Sequence, residues 1–263
     1  MEAAATGADT AADEGHGPAE RPERGARPGE RLLRNGPAAR RLHAALYLVT
    51  LALLASGVAL LGEGIRPLES VFGGHVASAR AHRALGSALI AAAVLLALTR
   101  PRAVRWFLAE SARFRRRELS WFAAYPTFVL RPSRNAPAPH EGHFDPGQRV
   151  FNLVVVVALL ALSATGVLMS FPRAFVPAVF AWSLRIHRAA TWALLAAVAG
   201  HVLVASGVLR AYRGVWRAMH AGGRVPRGLA ERLWPRWAER AARAEDRDAG
   251  SPPPGSPRSR ARG

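Results

Sequence analysis

Four long apolar blocks constrain this chain more than any other feature. They cover residues 42–61, about 81–98, 150–171 and about 186–209. A hydrocarbon core of about 30 Å needs about 20 helical residues. The first, third and fourth blocks meet that length with few internal charges. The second opens on His82-Arg83 and is clean only from Ala84, so it reads as a spanning helix with an interfacial start. A globular core does not require four such runs. The expected fold class is therefore an all-α membrane protein of four transmembrane helices, with polar, disordered termini. The expected boundaries are a disordered leader over 1–38, the transmembrane domain over 39–220 and a basic, largely disordered tail over 221–263.

The connections differ in character. Residues 62–80 are short and glycine-rich, whereas 99–149 is long, basic and interrupted by six prolines. Within the latter, residues 103–124 suit a surface helix with Trp106 and Trp121 at the lipid boundary. Pro172 and Pro177 disfavour a continuous helix over 172–185, and Phe175, Phe180 and Trp182 suit an interface. Residues 227–247 suit an interfacial helix touching lipid through Trp234 and Trp237, interrupted by Pro235.

The net charge of +18 comes entirely from arginine, since lysine is absent. Such a balance raises nucleic acid as a partner. However, 30 of the 36 arginines fall in the stretch up to Arg41, the 99–149 segment and the region from Arg210 onward. That distribution is an orientation signal, and it places both termini and the long middle loop in the cytoplasm of a bacterial inner membrane. We therefore expect lipid, and no nucleic acid, as the partner of these arginines. Cysteine is also absent. Disulfides, cysteine-ligated iron–sulfur clusters and covalently attached haem are excluded, so any redox metal must be held by nitrogen or oxygen.

Four of the nine histidines lie in or beside the apolar blocks: His43, His82, His187 and His201. Ionisable groups at membrane depth are costly and suggest function. In a four-helix topology His82 and His187 share the outer level, and His43 and His201 the inner. His187 and His201 are 14 residues apart, which brings both to nearly the same helix face about 21 Å apart in depth. Two stacked haems, each with one axial imidazole from each of two helices, require this arrangement. The bundle is thus expected to bind two b haems, with Gly57, Gly86, Gly166 and Gly200 as candidates for close approach. Taken singly, an interfacial histidine also reads as a solvated boundary residue, and a glycine as small-residue helix packing. No nucleophile–base arrangement or phosphate loop is visible, and no catalytic residue is assigned.

Further motifs carry a family resemblance. Arg40-Arg41-Leu42-His43-Ala44 resembles an Arg-x-x-His-Trp start of helix one, with Ala44 in place of Trp. His82-Arg83-Ala84-Leu85-Gly86 resembles a His-x-x-x-Gly start of helix two. Phe144-Asp145-Pro146-Gly147-Gln148-Arg149 resembles a Tyr-Asn-x-Gly-Gln-Lys segment before helix three. Together with the His187/His201 spacing, these features resemble the cytochrome b (gamma) subunit of membrane-bound formate dehydrogenases. The wider group includes the cytochrome b of Ni,Fe-hydrogenases and of thiosulfate reductases. The resemblance spans about residues 40–218. It implies a non-catalytic electron-transfer subunit that accepts electrons from an iron–sulfur subunit, itself served by a catalytic oxidoreductase subunit. It further implies transfer through two b haems to a quinone such as menaquinone near the cytoplasmic surface. The quinone positions carried over are Asp145, Gly147, Gln148 and His201, with Asp145 in place of the family's Asn. A hydrogenase or thiosulfate/polysulfide reductase cytochrome b and a non-redox membrane anchor are the alternatives.

Overall fold

The computed structural model describes residues 30–61, 66–131, 140 and 142–250. Its framework is four long helices: α1 (Pro37–Ala59), α3 (His75–Thr99), α6 (Pro146–Ser170) and α7 (Pro177–Ala205). The shortest, at 23 residues, rises about 35 Å, enough to cross a bilayer. A short α2 (Arg66–Val71) precedes α3. The helices form two antiparallel hairpins, α1 with α3 and α6 with α7. One end of the bundle carries the short connections. The other, here the basic face, carries the remaining elements.

Proline marks helix starts here. Pro37, Pro101, Pro146 and Pro177 each occupy a first-turn position after a non-helical residue. A first-turn residue has no intrahelical use for its N–H, and proline's fixed φ suits the turn. This corrects the expectation at 172–185. The chain makes one 3₁₀ turn at Pro172–Ala174, and Pro177 then opens α7 rather than breaking it. Phe180 and Trp182 therefore belong to a spanning helix. Gly73 and Gly74, at φ +83° and +97°, make the turn that starts α3.

The expected surface helix over 103–124 is two helices. α4 (Pro101–Ser111) stops at Ala112, and α5 (Leu119–Leu130) follows a 3₁₀ turn at Arg116–Glu118. Beyond α7, α8 (Arg217–His220) leads to β2 (Arg224–Pro226), which pairs antiparallel with β1 (Arg31–Leu33). α9 (Arg227–Leu233) and α10 (Pro235–Gly250) complete the described chain.

The arms expected to be disordered are therefore folded over 30–36 and 221–250. Residues 1–29 and 251–263 lie outside the described residues. The reason is tertiary: Leu32, Val225, Leu229, Leu233 and Trp234 join Phe128 and Tyr212 in a buried apolar cluster on the basic face. The Arg34 guanidinium lies 4.5 Å from the Trp234 ring and 4.4 Å from the Trp237 ring. Such cation–π contacts occupy faces expected to meet lipid. Pro235 begins α10 instead of interrupting a longer helix.

The spanning helices bury little against protein; Leu54, Ala158 and Leu194 are among the few enclosed apolar side chains. Leu95, Leu98, Val157, Leu160, Trp192 and Leu203 are all exposed. An apolar surface of this extent is stable only against hydrocarbon.

Candidate functional site

At the short-connection end, α3 and α7 turn His82 and His187 toward each other. Their ring centres are 6.1 Å apart and their planes 70° apart. Each Nδ1 meets a hydroxyl from the other helix of its hairpin: Ser56 Oγ lies 3.0 Å from His82 and Thr165 Oγ1 2.9 Å from His187. Both rings line a cavity of about 290 Å³, walled by Leu53, Leu162 and Leu194 among others. Gly57, Gly86 and Gly166 line it as well. A Cβ at Gly57 would lie 3.1 Å from His82 Cε1, so glycine there admits the ring. Gly200 differs from expectation: a Cβ there meets nothing within 4 Å, and it does not line the cavity.

Toward the basic face, His43 on α1 and His201 on α7 have ring centres 6.4 Å apart, at 51°. Phe151, on α6, stacks on His201 at 4.3 Å and 13°. His220 lies 5.6 Å from His43 and 5.9 Å from Tyr47. It reads as a loop residue in the sequence. Positive-φ turns at Gly207 and Gly214 fold the chain back and deliver it here, and no periodicity signals such a return.

The two pair distances suit one kind of ligand. Metal–imidazole bonds of about 2 Å, with about 1 Å from nitrogen to ring centre, need about 6 Å between centres. Each imidazole pair would hold a haem iron through two nitrogens, which suits electron transfer rather than substrate binding at the metal. No cluster of three or more His, Cys, Asp or Glu suited to a bare metal ion occurs among the described residues.

The 145–149 segment forms the first turn of α6. Asp145 is the N-cap, its Oδ1 accepting the Gln148 N–H at 2.8 Å. Asp and Asn cap about equally well, so Asp145 fills this local role as an Asn would. Gly147 is required by packing, since a Cβ would sit 2.9 Å from Trp121 Cη2. Gln148 donates from Nε2 to Asn152 at 2.8 Å, and Asn152 donates to Ser111. No hydrogen bond joins Gln148 to His201 among the described residues. Asp145 lies within electrostatic reach of His201.

Asp145 also faces Tyr125 and Tyr212, whose hydroxyls are pushed above their ordinary range, chiefly by burial and also by this carboxylate. Arg34 is lowered to about 10 by burial, with Asp145 opposing. His143 is lowered to about 4 by burial and by the positive charges of Arg34 and Arg240. Trp121, stacked on Tyr125 at 4.7 Å, is buried, and its indole Nε1 has no hydrogen-bond partner among the described residues.

Below this niche, fully buried Arg149 bonds both Glu118 carboxylate oxygens at 2.9 Å and donates to the Arg113 carbonyl. Its other nitrogen lies 3.8 Å from Glu110, which accepts the His143 N–H. The network fastens α4 and α5 to the start of α6.

A lipid-exposed four-helix bundle with facing histidines at two depths defines a class: membrane proteins that carry electrons on b-type haem. Residues 36–222 match the family described as prokaryotic cytochrome b561. The match covers well over half of the chain, and the chain belongs to that family. It is a multi-pass bacterial membrane protein that binds haem b and transfers electrons between redox partners. No curated protein matches the chain.

Proposed function

We propose that this chain is the dihaem cytochrome b subunit of a quinone-reducing complex of the formate dehydrogenase type. His82 and His187 ligate one haem b iron, and His43 and His201 the other. The carrying observation is the pair of ring separations, 6.1 and 6.4 Å, at two depths of one bundle. A b haem bound at each pair holds one electron at a time. The chain's own residues fix the imidazoles, exclude water with leucine and glycine walls, and leave no open coordination position. Arg83 and Arg188 line the cavity at the His82/His187 pair, with no carboxylate partner among the described residues. Both guanidinium groups are exposed at the short-connection end, where the propionates of a bound tetrapyrrole would pair with them.

The quinone site lies at the basic face, beside Asp145, Gly147, Gln148 and His201. The partnerless Trp121 N–H supports this reading, because a buried indole donor is stabilised by an acceptor such as a quinone carbonyl. A quinone there takes up two electrons and two protons, and Asp145 is the nearby carboxylate able to relay a proton. Positive-inside orientation makes this face and both termini cytoplasmic. Electrons then enter from an iron–sulfur subunit at the opposite end. The Gly147-Gln148 resemblance favours formate as the electron source, and menaquinone is the quinone proposed as acceptor.

The test is haem quantitation with a reduced-minus-oxidised spectrum of purified protein. Two haems per chain are expected. His187→Ala and His201→Ala should each lose one, and His220→Ala none. Zero haem, or full content in both of the first two variants, refutes the assignment. Formate-driven reduction in native membranes distinguishes the donor, since reduction by hydrogen alone would point to a hydrogenase partner.

A further inference from the structure

Ser56 and Thr165 perform a task that helix packing does not require. Ser56 is completely buried and Thr165 is 5% exposed. Each hydroxyl has a single proton, directed to a carbonyl of its own helix. Ser56 Oγ lies 2.8 Å from the Ala52 carbonyl and 3.2 Å from that of Leu53. Thr165 Oγ1 lies 2.6 Å from the Ala161 carbonyl and 3.3 Å from that of Leu162. With that proton committed, the same oxygen can only accept from the imidazole 3.0 or 2.9 Å away. The Leu53 and Leu162 carbonyls face the same two rings and are acceptors as well. Both environments, rich in acceptors, favour a proton on Nδ1 and leave Nε2 as the bare ligand nitrogen.

The basic-face pair lacks this device. His43 and His201 make no hydrogen bond among the described residues and are contacted by rings instead: Tyr47, His220 and Phe151. Ser78 supplies an internal comparison. It is equally buried on α3, and it back-bonds to the Gly74 carbonyl at 3.0 Å, but it meets no histidine. Back-bonding alone thus satisfies a buried serine in this bundle.

We infer that Ser56 and Thr165 are positioning residues that lock the tautomer of His82 and His187 and hold the iron between them at a lower potential than the iron between His43 and His201. An acceptor on the distal N–H makes imidazole a stronger donor, which favours the oxidised metal. The inference rests on the proposed ligand pairs, and its readout is separate from theirs.

The experiment is a spectroelectrochemical titration of the full-length purified protein, fitted with two one-electron components. Ser56→Ala and Thr165→Val should each raise the lower component, by about tenfold in the oxidised-to-reduced equilibrium, or about 59 mV. Ser56→Thr and Thr165→Ser keep the hydroxyl and should retain the original potential, as should Ser78→Ala. If both hydroxyl deletions instead lose one haem while the conservative exchanges keep it, the positioning role stands. Full haem content with unmoved potentials in Ser56→Ala and Thr165→Val overturns the inference, as does an equal shift in Ser78→Ala. Haem content in His82→Ala and His187→Ala tests the ligand pair itself, so failure of that reading is seen independently.

Discussion

Replacing Arg149 with Met should unfold the basic-face end of the bundle well before the rest of the sequence feels any loss. The guanidinium is fully buried, bonds both oxygens of a carboxylate that is itself 4% exposed, and holds a second carboxylate at 3.8 Å. Methionine fills similar volume but takes the guanidinium from buried Glu118 and leaves Glu110 only the half-exposed Arg113, at 3.8 Å. Breaking one partner of a buried ion pair costs about 3–5 kcal/mol, because the surviving charge stays desolvated. For a chain of this size each kcal/mol moves the midpoint by about 2–4 °C, so a drop of about 6–20 °C is expected. Arg149→Lys should fall in between, since an ammonium cannot reproduce the two-pronged contact. The triple change Arg149→Met, Glu118→Gln, Glu110→Gln should recover most of the loss, because removing the whole charge set leaves nothing stranded. The assay is a heat scan in one detergent at one scan rate. A drop below about 3 °C in the single variant would refute the reasoning, as would a triple variant less stable than the single one.

Other perturbations separate packing from chemistry. Gly57→Val should lose one haem, since a Cβ there would lie only 3.1 Å from His82 Cε1, whereas Gly200→Ala should keep both; pyridine haemochrome counting checks this. Gly147→Ala pushes against Trp121 at 2.9 Å and should destabilise by about 1–3 kcal/mol, read as a lower melting midpoint with haem content retained. His143 is held neutral, with its pKa lowered to about 4. Between pH 6.5 and about 4 the unfolded chain therefore binds a proton that the folded chain refuses, and stability falls as pH falls through that window. His143→Gln should flatten the midpoint-against-pH curve there, and an unchanged slope would contradict the assignment.

The spanning helices were legible because length and apolarity are local properties. Their starts were less so. Pro177 and Pro235 read as breakers, yet each sits where a helix needs no N–H. The strand pair and the 227–250 helices were hidden for a different reason. Their composition is that of a solvated tail, and only contacts with Arg34, Phe128 and Tyr212, distant in sequence, make them fold. The four histidines were legible from depth and spacing, and the structure brings them together in the expected pairs. His220, Ser56 and Thr165 were not. A single hydroxyl in an apolar run has no signature until the opposite helix is in place. Asp145 and Gly147 carried two meanings at once, a helix cap and a ring contact beside the family motif, and sequence alone could not divide them.

Both facing pairs take one member from α7, the last of the spanning helices. A ribosome delivers His43 and His82 to the bilayer early, and each then waits for a partner more than a hundred residues downstream. Until α7 inserts, no length of nascent chain contains a completed pair. On the proposed ligation, haem capture waits for this final insertion event, and chains truncated before residue 187 should be inserted in the membrane yet colourless.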